Sequence, residues 1–334
     1  MLGKKYMNVV TDNIEAMEKK MKVSVIVPTR NRATYLEKML ESLLEQSVSK
    51  DEFEVIVIDN GSTDTTKNVC FQKKNCFPHF KYILEKKPGL HAGRNRGFVE
   101  AKGEYLLFAD DDVIASSTWI EGIVEGFEHE NVALVGGNII PKFETSKPEW
   151  FTDFIINKNQ FKIVSQLSVI WTSERENKTI NPFHIFGCNF GVKREILEKC
   201  EGFHPDGMPS SLLMYRGDGE SYVSHFVQQN GLKAMFVPKA AVYHVIPKER
   251  TSILYLRNRG KRDGISEMYS KLREEGIRGG IYCLRQSVKT LMSFTNYKKI
   301  YYKAFLRGEI YLFSYYVMYS RIREWISKRN YLET

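Results

Sequence analysis

Residues Val23–Asn31 read VSVIVPTRN, and the rest of the chain falls into place around them. VSVIV is an apolar, β-branched run, the pattern of a strand buried on both faces of a parallel sheet; Pro28 is expected to end it. Outward from there the pattern alternates. A helix is predicted over 34–46, opened by Thr34-x-x-Glu37 as a capping box and carrying Leu36, Met39, Leu40, Leu43 and Leu44 on one face. Further strands are predicted at Phe53–Ile58, Phe80–Leu84, Tyr105–Ala109 and Val132–Val135. Helices are predicted over 91–102 and Thr118–Glu128, the second capped by Thr118-x-x-Glu121. Such alternation implies an α/β fold, a mostly parallel sheet with helices on both faces. Ligands of these sheets bind beyond the carboxyl ends of the strands. Three polar clusters, Pro28–Asn31, Asp59–Asp64 and Asp110–Asp112, stand at those ends and are expected to converge on one rim. Residues 141–182 read as a long irregular loop or flap. Order resumes with Phe183–Phe186, helices over 192–200 and 219–230, and short strands near 234–237 and 241–245. Beyond residue 250 the pattern is mainly helical.

The 334 residues are 43% hydrophobic and 27% charged, with a formal net charge of +9. That composition excludes a disordered or collagen-like chain, and the length suits two domains or one α/β domain with extensions. No apolar stretch reaches the roughly 18 residues of a spanning helix. The first twenty residues, MLGKKYMNVVTDNIEAMEKK, lack the apolar core of a secretory signal. They read as a polar leader, with Met21 as a second candidate start. The five cysteines, Cys70, Cys76, Cys188, Cys200 and Cys283, form no C-x-x-C pair. Buried free thiols in a reducing cytoplasm are expected, not zinc or disulfides.

The excess positive charge lies at one end. Residues 1–247 hold 30 Lys and Arg against 32 Asp and Glu, whereas residues 248–334 hold 19 against 8. The same segment sets Tyr301, Tyr302, Phe305, Tyr311, Phe313, Tyr315, Tyr316 and Tyr319 within 19 residues. Basic plus aromatic suits an anionic membrane surface. A solvated helical bundle with its aromatics packed on the first domain is the plainer alternative. Nucleic acid is the third, and no nucleic-acid partner is expected.

Asp110, Asp111 and Asp112 are the sharpest chemical feature. Three adjacent carboxylates repel one another. A divalent cation, Mn2+ or Mg2+, held by one or two of them and by substrate phosphates would resolve the repulsion; a polar turn capping the next helix is the alternative. Asp59 and Asn60 match the donor and acceptor edge of a base or ribose, or make a plain turn. Pro28, Thr29, Arg30 and Asn31 are ambiguous in the same way. GLHAGRNRG (Gly89–Gly97) puts two arginines and a histidine at a helix start, where N–H groups and cations can hold a pyrophosphate.

Together these segments resemble family 2 of the glycosyltransferases, inverting enzymes with the GT-A fold, over roughly residues 22–264. SVIVPTRNR resembles the family's opening strand and nucleotide loop, and VIDNGSTDTT its second strand and base-binding turn. GLHAGRNRGF is similar to its G-x-x-x-A-R-N-x-G segment, with Gly93 where Ala is usual. FADDDV resembles the D-x-D region, and GCNFGVKRE (Gly187–Glu195) a loop-to-helix segment on the acceptor side.

The resemblance implies a Rossmann-like GT-A domain over 21–250, with a nucleotide-binding half (21–140) and an acceptor half (141–250). A basic, aromatic, mainly helical extension over 251–334 follows. Pro28, Thr29, Arg30, Asn31, Asp59, Asn60, Arg94, Asp110 and Asp111 are implied to bind the donor, Arg94 near its diphosphate. Asp112 and His244 are implied to hold the metal. Many uridine-specific members have a second Asp where Asn60 stands, which leaves a thymidine or guanosine donor open. Arg216-Gly217-Asp218-Gly219-Glu220 falls where the family has a Glu-Asp pair. Gly217 replaces the Glu; Asp218 is the implied general base, with Glu220 as the alternative. Asn189 and Glu220 are implied to meet the acceptor, and Arg257 and Arg259 to form a basic lid.

The implied activity is metal-dependent, inverting transfer from a nucleotide-diphosphate sugar to a hydroxyl of a glycan or lipid-linked saccharide in surface polysaccharide synthesis. The implied place is the cytoplasm, peripheral on the inner face of the cell membrane. The Q-x-x-R-W motif of processive synthases is absent. A sugar nucleotidyltransferase is disfavoured because VPTRNRATY has no glycine. The Gly217 departure keeps a catalytically inactive sugar-nucleotide or glycan-binding module as a further alternative.

Overall fold

A computed structural model describes residues 21–332; the leader over 1–20 lies outside the described residues. The first half runs β1 (Val23–Thr29), α1 (Ala33–Leu44), β2 (Phe53–Asp59), α2 (Thr66–Lys73), β3 (Phe80–Leu84), α3 (Leu90–Glu100), β4 (Tyr105–Phe108), β5 (Val113–Ala115) and α4 (Trp119–Phe127). β1 lies parallel between β2 and β4, and β3 is parallel to β2. Every residue of β1 and β2 is buried, which is why both read as near-continuous apolar runs.

Pro28 does not end β1. It pairs in register with Ile58, and the strand runs on to Thr29. The Ile26 carbonyl accepts from Ala109 N–H on the β4 side. Two residues on, Pro28 faces the same way, past the end of β4, so its missing N–H breaks no ladder bond. The two expected capping boxes do not form either. The N-cap of α1 is Arg32, and the Ala33 N–H donates to the Asp64 carboxylate from across the rim. Before α4, Thr118 Oγ1 donates to the Lys239 carbonyl, while Glu121 accepts from Ser47 and pairs with Lys239.

The second half continues with β6 (Val132–Gly136), β7 (Ile139–Phe143), β8 (Ile156–Lys158), β9 (Phe161–Val164), β10 (Val169–Trp171), β11 (Lys178–Ile180), β12 (Phe190–Lys193), α5 (Arg194–Lys199), α6 (Ser221–Gln229), β13 (Lys233–Phe236) and β14 (Val242–Ile246). The main sheet has eight strands in the order β11-β13-β6-β12-β4-β1-β2-β3. β12 runs antiparallel between β4 and β6, so the helix expected over 192–200 starts only at Arg194. Residues 141–182 are not an irregular flap. They supply most of a second sheet, ordered β5-β14-β7-β10-β9-β8, with Trp150 and Phe151 buried against it. Strands of three to five residues are too short to declare a period.

The tail comprises α7 (Ile253–Met292), α8 (Asn296–Met318) and α9 (Ser320–Ser327). α7 is two limbs. Gly276 leaves helical geometry (φ +63°) and the chain reverses there: a methyl at Gly280 would lie 2.9 Å from the Leu272 side chain, eight residues back. An unbroken helix would put about 12 Å between them. The tail's aromatics do pack inward: Tyr301 meets Phe154 edge-on, and Trp325 Nε1 donates to the Tyr215 carbonyl. Arg259, expected in a basic lid, pairs with Asp263 in its own helix.

Candidate functional site

The carboxyl ends of β1, β2 and β4 open onto a cavity of about 280 Å3. Pro28, Thr29, Arg30, Asn60, Asp110 and Asp111, all expected on the rim, line it. Gly89, Leu90, Gly207, Pro209 and two arginines that sequence reasoning missed, Arg32 and Arg250, complete the wall. Gly207 sits at φ +64°, and a side chain there would overlap Leu90, so the 205–209 loop closes down on the start of α3 only as glycine permits.

The acidic centre is organised by cations. Thr29 Oγ1 donates to Asp111 Oδ2 at 2.7 Å. Arg32 Nη1 bridges Asp111 (3.1 Å) and Asp112 (3.0 Å). Arg250 Nη2 lies 3.0 Å from Asp112, and His244 Nε2 lies 3.5 Å from Asp112 Oδ1. Burial pushes the Asp111 carboxyl up, against Arg32 and with Asp112 beside it. Burial pushes Asp112 up as well, but His244, Arg250 and Arg32 outweigh it and hold that carboxyl well below the usual range. Asp112 is almost fully buried, and among the described residues neither of its oxygens has a hydrogen bond of good geometry. An ionised, buried carboxylate that has ion pairs but no well-aligned hydrogen bond, beside an imidazole nitrogen and next to a cavity lined with arginines, fits a divalent cation shared with phosphates. Asp112 and His244 are the side chains that would hold it.

A second chain of contacts joins the acceptor half to the cavity. Arg94 is fully buried; its Nη2 meets Asp110 Oδ1 at 2.7 Å and donates to the Gly187 carbonyl at 2.8 Å. Its Nη1 lies 3.5 Å from Glu220 and 3.1 Å from His91 Nε2. Glu220 Oε2 is 3.1 Å from His91 Nε2, and its Oε1 accepts from Gly187 N–H at 3.2 Å. Burial acts upward on Glu220, but the His91 contact and Arg94 outweigh it and keep the carboxyl well below its ordinary range. His91, which the sequence shows only as part of the basic segment, is thus a contact of both Arg94 and Glu220.

Six of the expected site residues line the cavity, Arg94, Asp112, Glu220 and His244 lie behind it through the contacts above, and four are engaged elsewhere. Asp218 faces the tail: its Oδ1 lies 2.7 Å from His204 Nδ1 and its Oδ2 accepts from Ser270 in α7. Asn189 is fully buried, accepting from Trp119 Nε1 and donating to the Ala240 carbonyl. Asp59 accepts from Ser62 N–H and Tyr82 OH. Asn31, at φ +53°, braces the Ser62–Thr63 turn from outside. Asn60 lines the cavity while its amide holds the 85–89 loop through the Glu85 and Lys87 carbonyls. A second cavity of about 600 Å3, sharing Gly89 with the first, opens between α3 and the tail. Met208, Leu212, Tyr215, Trp325 and Tyr331 form its apolar walls, and His91 and Asp206 also line it.

Comparison with known proteins agrees with this fold. The family model described as Glycosyl transferase family 2 matches residues 24–201. Glycosyltransferase AglE of Haloferax volcanii is 36% identical over 118 residues, 35% of this chain and 39% of that one. The GalNAc(5)-diNAcBac-PP-undecaprenol beta-1,3-glucosyltransferase of Campylobacter jejuni is 34% identical over 48% of this chain and 55% of its own. The chain thus spans less than two thirds of these relatives. Among solved structures, the mannosyltransferase PcManGT of Pyrobaculum calidifontis, in complex with GDP-Man and Mn2+, superposes with a TM-score of 0.52 at 18% identity, over 93% of this chain and 85% of that one. S. aureus TarS 1–349 with UDP-GlcNAc does so at 0.52 and 16%, over 87% and 91%. At such identities the likeness is one of fold, and the fold is GT-A with a helical C-terminal region.

Proposed function

This chain belongs to glycosyl transferase family 2, and we propose that it moves one sugar from a nucleotide-diphosphate donor to a saccharide hydroxyl, with inversion at the anomeric carbon. One observation carries this. Clusters far apart in sequence, after β1, after β2, at the start of α3 and after β4, together with Arg250, surround a single cavity that presents arginines beside carboxylates. Arginines suit a diphosphate, and carboxylates suit ribose and sugar hydroxyls. Two solved structures of the same fold were obtained with GDP-Man and Mn2+ and with UDP-GlcNAc, and one relative is named for an undecaprenol-linked acceptor. These support a nucleotide-sugar donor, a divalent metal and a glycan or lipid-linked acceptor; Mn2+ or Mg2+ as that metal, and surface polysaccharide synthesis in the cytoplasm at the inner membrane face, belong to the proposal.

In this reading Arg30, Arg32 and Arg250 meet the diphosphate, Thr29, Asp110 and Asp111 meet ribose and sugar hydroxyls, and Asn60 lies toward the base. Asp112 and His244 hold the cation, which when bound stabilises the leaving diphosphate. Glu220 takes the proton of the attacking hydroxyl as the new carbon–oxygen bond forms and the nucleoside diphosphate departs with its electron pair. Glu220 is preferred to Asp218 because it is tied to Asp110 through Arg94 and lies beside His91, which lines the second cavity. The contacts of Asp218 run instead to His204 and to Ser270 of the tail. The second cavity, with Tyr215 and Trp325 as stacking surfaces for sugar rings, is the acceptor's approach.

The test is a screen of UDP-, GDP-, dTDP- and CDP-sugars with Mn2+ or Mg2+, with and without chelator, read by thermal stabilisation and by sugar release. Metal-dependent response to one nucleotide family supports transfer. No response to any donor, or release of pyrophosphate from a nucleoside triphosphate, overturns it.

A further inference from the structure

The second limb of α7, residues 277–292, presents a stripe that the transfer reaction leaves unused. Ile277, Ile281, Val288 and Met292 are all exposed, Met292 by 83%. Their spacing puts them on one helix face, within about 60° of arc. Arg285, Arg278 and Lys289 follow along one border of that stripe, and exposed Tyr282 stands beyond them. Other side chains of the limb anchor it: Cys283 Sγ and Ser287 Oγ both donate to Glu309 of α8. From Ile277 to Arg323 the chain has nine Lys and Arg and one acid, Glu309, which is fully buried. The limb and α8 therefore show solvent no carboxylate side chain between Ile277 and Arg323; the nearest exposed acids before that span, Glu274 and Glu275, close the first limb of α7.

Exposed apolar side chains are unfavourable in water, and uncompensated cations repel one another. An anionic lipid surface relieves both, taking the apolar stripe into the boundary between headgroups and acyl chains and the cations onto lipid phosphates. We infer that the 277–292 limb is the surface on which this protein rests against an anionic membrane leaflet. The inference deepens the membrane part of the proposed function and rests on it only there.

The experiment needs neither donor nor acceptor, so its failure is distinct from failure of the transferase reading. The full chain is sedimented with phosphatidylcholine vesicles containing about 30 mol% phosphatidylglycerol, and with pure phosphatidylcholine vesicles. The chain should pellet with the anionic vesicles, less so as salt rises. Each cation at such a surface is worth about fivefold in partitioning, so Arg278→Gln/Arg285→Gln/Lys289→Gln should weaken binding about 100-fold. Ile281→Ser/Met292→Ser should remove the binding that survives high salt. All five positions are exposed, so the melting temperature should not move in either variant. Failure to pellet with anionic vesicles, or equal binding by the triple variant, overturns the inference. Tighter binding to a single-stranded RNA oligomer than to the vesicles also overturns it.

Discussion

Glu220→Gln separates the chemical role of this carboxylate from its structural one. The amide keeps the shape, and its oxygen can still accept from Gly187 N–H, the 3.2 Å contact of Oε1. What is lost is the charge at Oε2, 3.1 Å from His91 and 3.5 Å from Arg94. Arg94 keeps its shorter contacts, 2.7 Å to Asp110 and 2.8 Å to the Gly187 carbonyl, so the donor side should hold its form. A positioned general base contributes about 10²–10⁴-fold, which at 1.36 kcal/mol per decade raises the barrier by about 3–5 kcal/mol. We expect kcat to fall by that factor while donor affinity changes by less than about threefold, the equivalent of ~0.6 kcal/mol. The assay is single-turnover release of nucleoside diphosphate, with and without acceptor. Because the folded protein holds the Glu220 carboxyl below its ordinary range, the wild type should show no acidic limb from this group at neutral pH; its charge is lost only as pH falls below the carboxylate range. Asp218→Asn is the control. It disturbs the His204 and Ser270 contacts, costing about 1–3 kcal/mol of stability, and should lower the melting temperature while leaving kcat within a few-fold. A Glu220→Gln enzyme with near-normal kcat refutes the argument, as does an Asp218→Asn enzyme that melts normally and is dead.

Three further outcomes can be checked. His244→Ala should raise the Mn2+ concentration needed for half-maximal donor binding by about tenfold or more, read by calorimetry; an unchanged value removes His244 from the metal site. Burial pushes the Glu309 carboxyl up to about 7, so the native state binds a proton that the unfolded chain releases near pH 4.5. Stability should therefore fall by about 3 kcal/mol as pH rises from 4.5 to 7, and urea melts of Glu309→Gln should lack that slope. Gly97→Ala would drive a methyl into Ile26 at the α3–β1 contact; it should cost about 1–3 kcal/mol, and a melting temperature equal to wild type would show that the contact yields.

The parallel half was legible because burial on both faces writes itself as near-unbroken apolar runs, as in β1 and β2. Its boundaries were less so. Pro28 signals a stop, yet the neighbouring strand has already ended on the side its nitrogen faces. The second sheet was invisible for a different reason: β8 to β11 are three or four residues each, and their partners lie elsewhere in the chain. Of the cavity lining, the residues after β1 and β4 were expected on the rim because a strand end is a topological address. Arg32 carried a weak signal, two positions from Arg30 in the same loop. Arg250 carried none, since it reaches Asp112 from more than a hundred residues away. For Asn189 and Asp218, residue type and spacing do not report which way a side chain points once Trp119 or Ser270 competes for it.

The antiparallel insertion of β12 has a consequence for how the protein is made. β4 is complete at Phe108 and β6 at Gly136, but the strand that fills the gap between them begins at Phe190. Until the ribosome delivers it, the centre of the main sheet presents two bare rows of N–H and C=O groups, the kind of edge that invites pairing with another chain. At roughly 5–20 residues per second that interval lasts about 4–16 s after β4 is finished. Nascent chains are thus most exposed to aggregation in the middle of the sheet, and a pause in translation just before residue 190 would prolong the hazard.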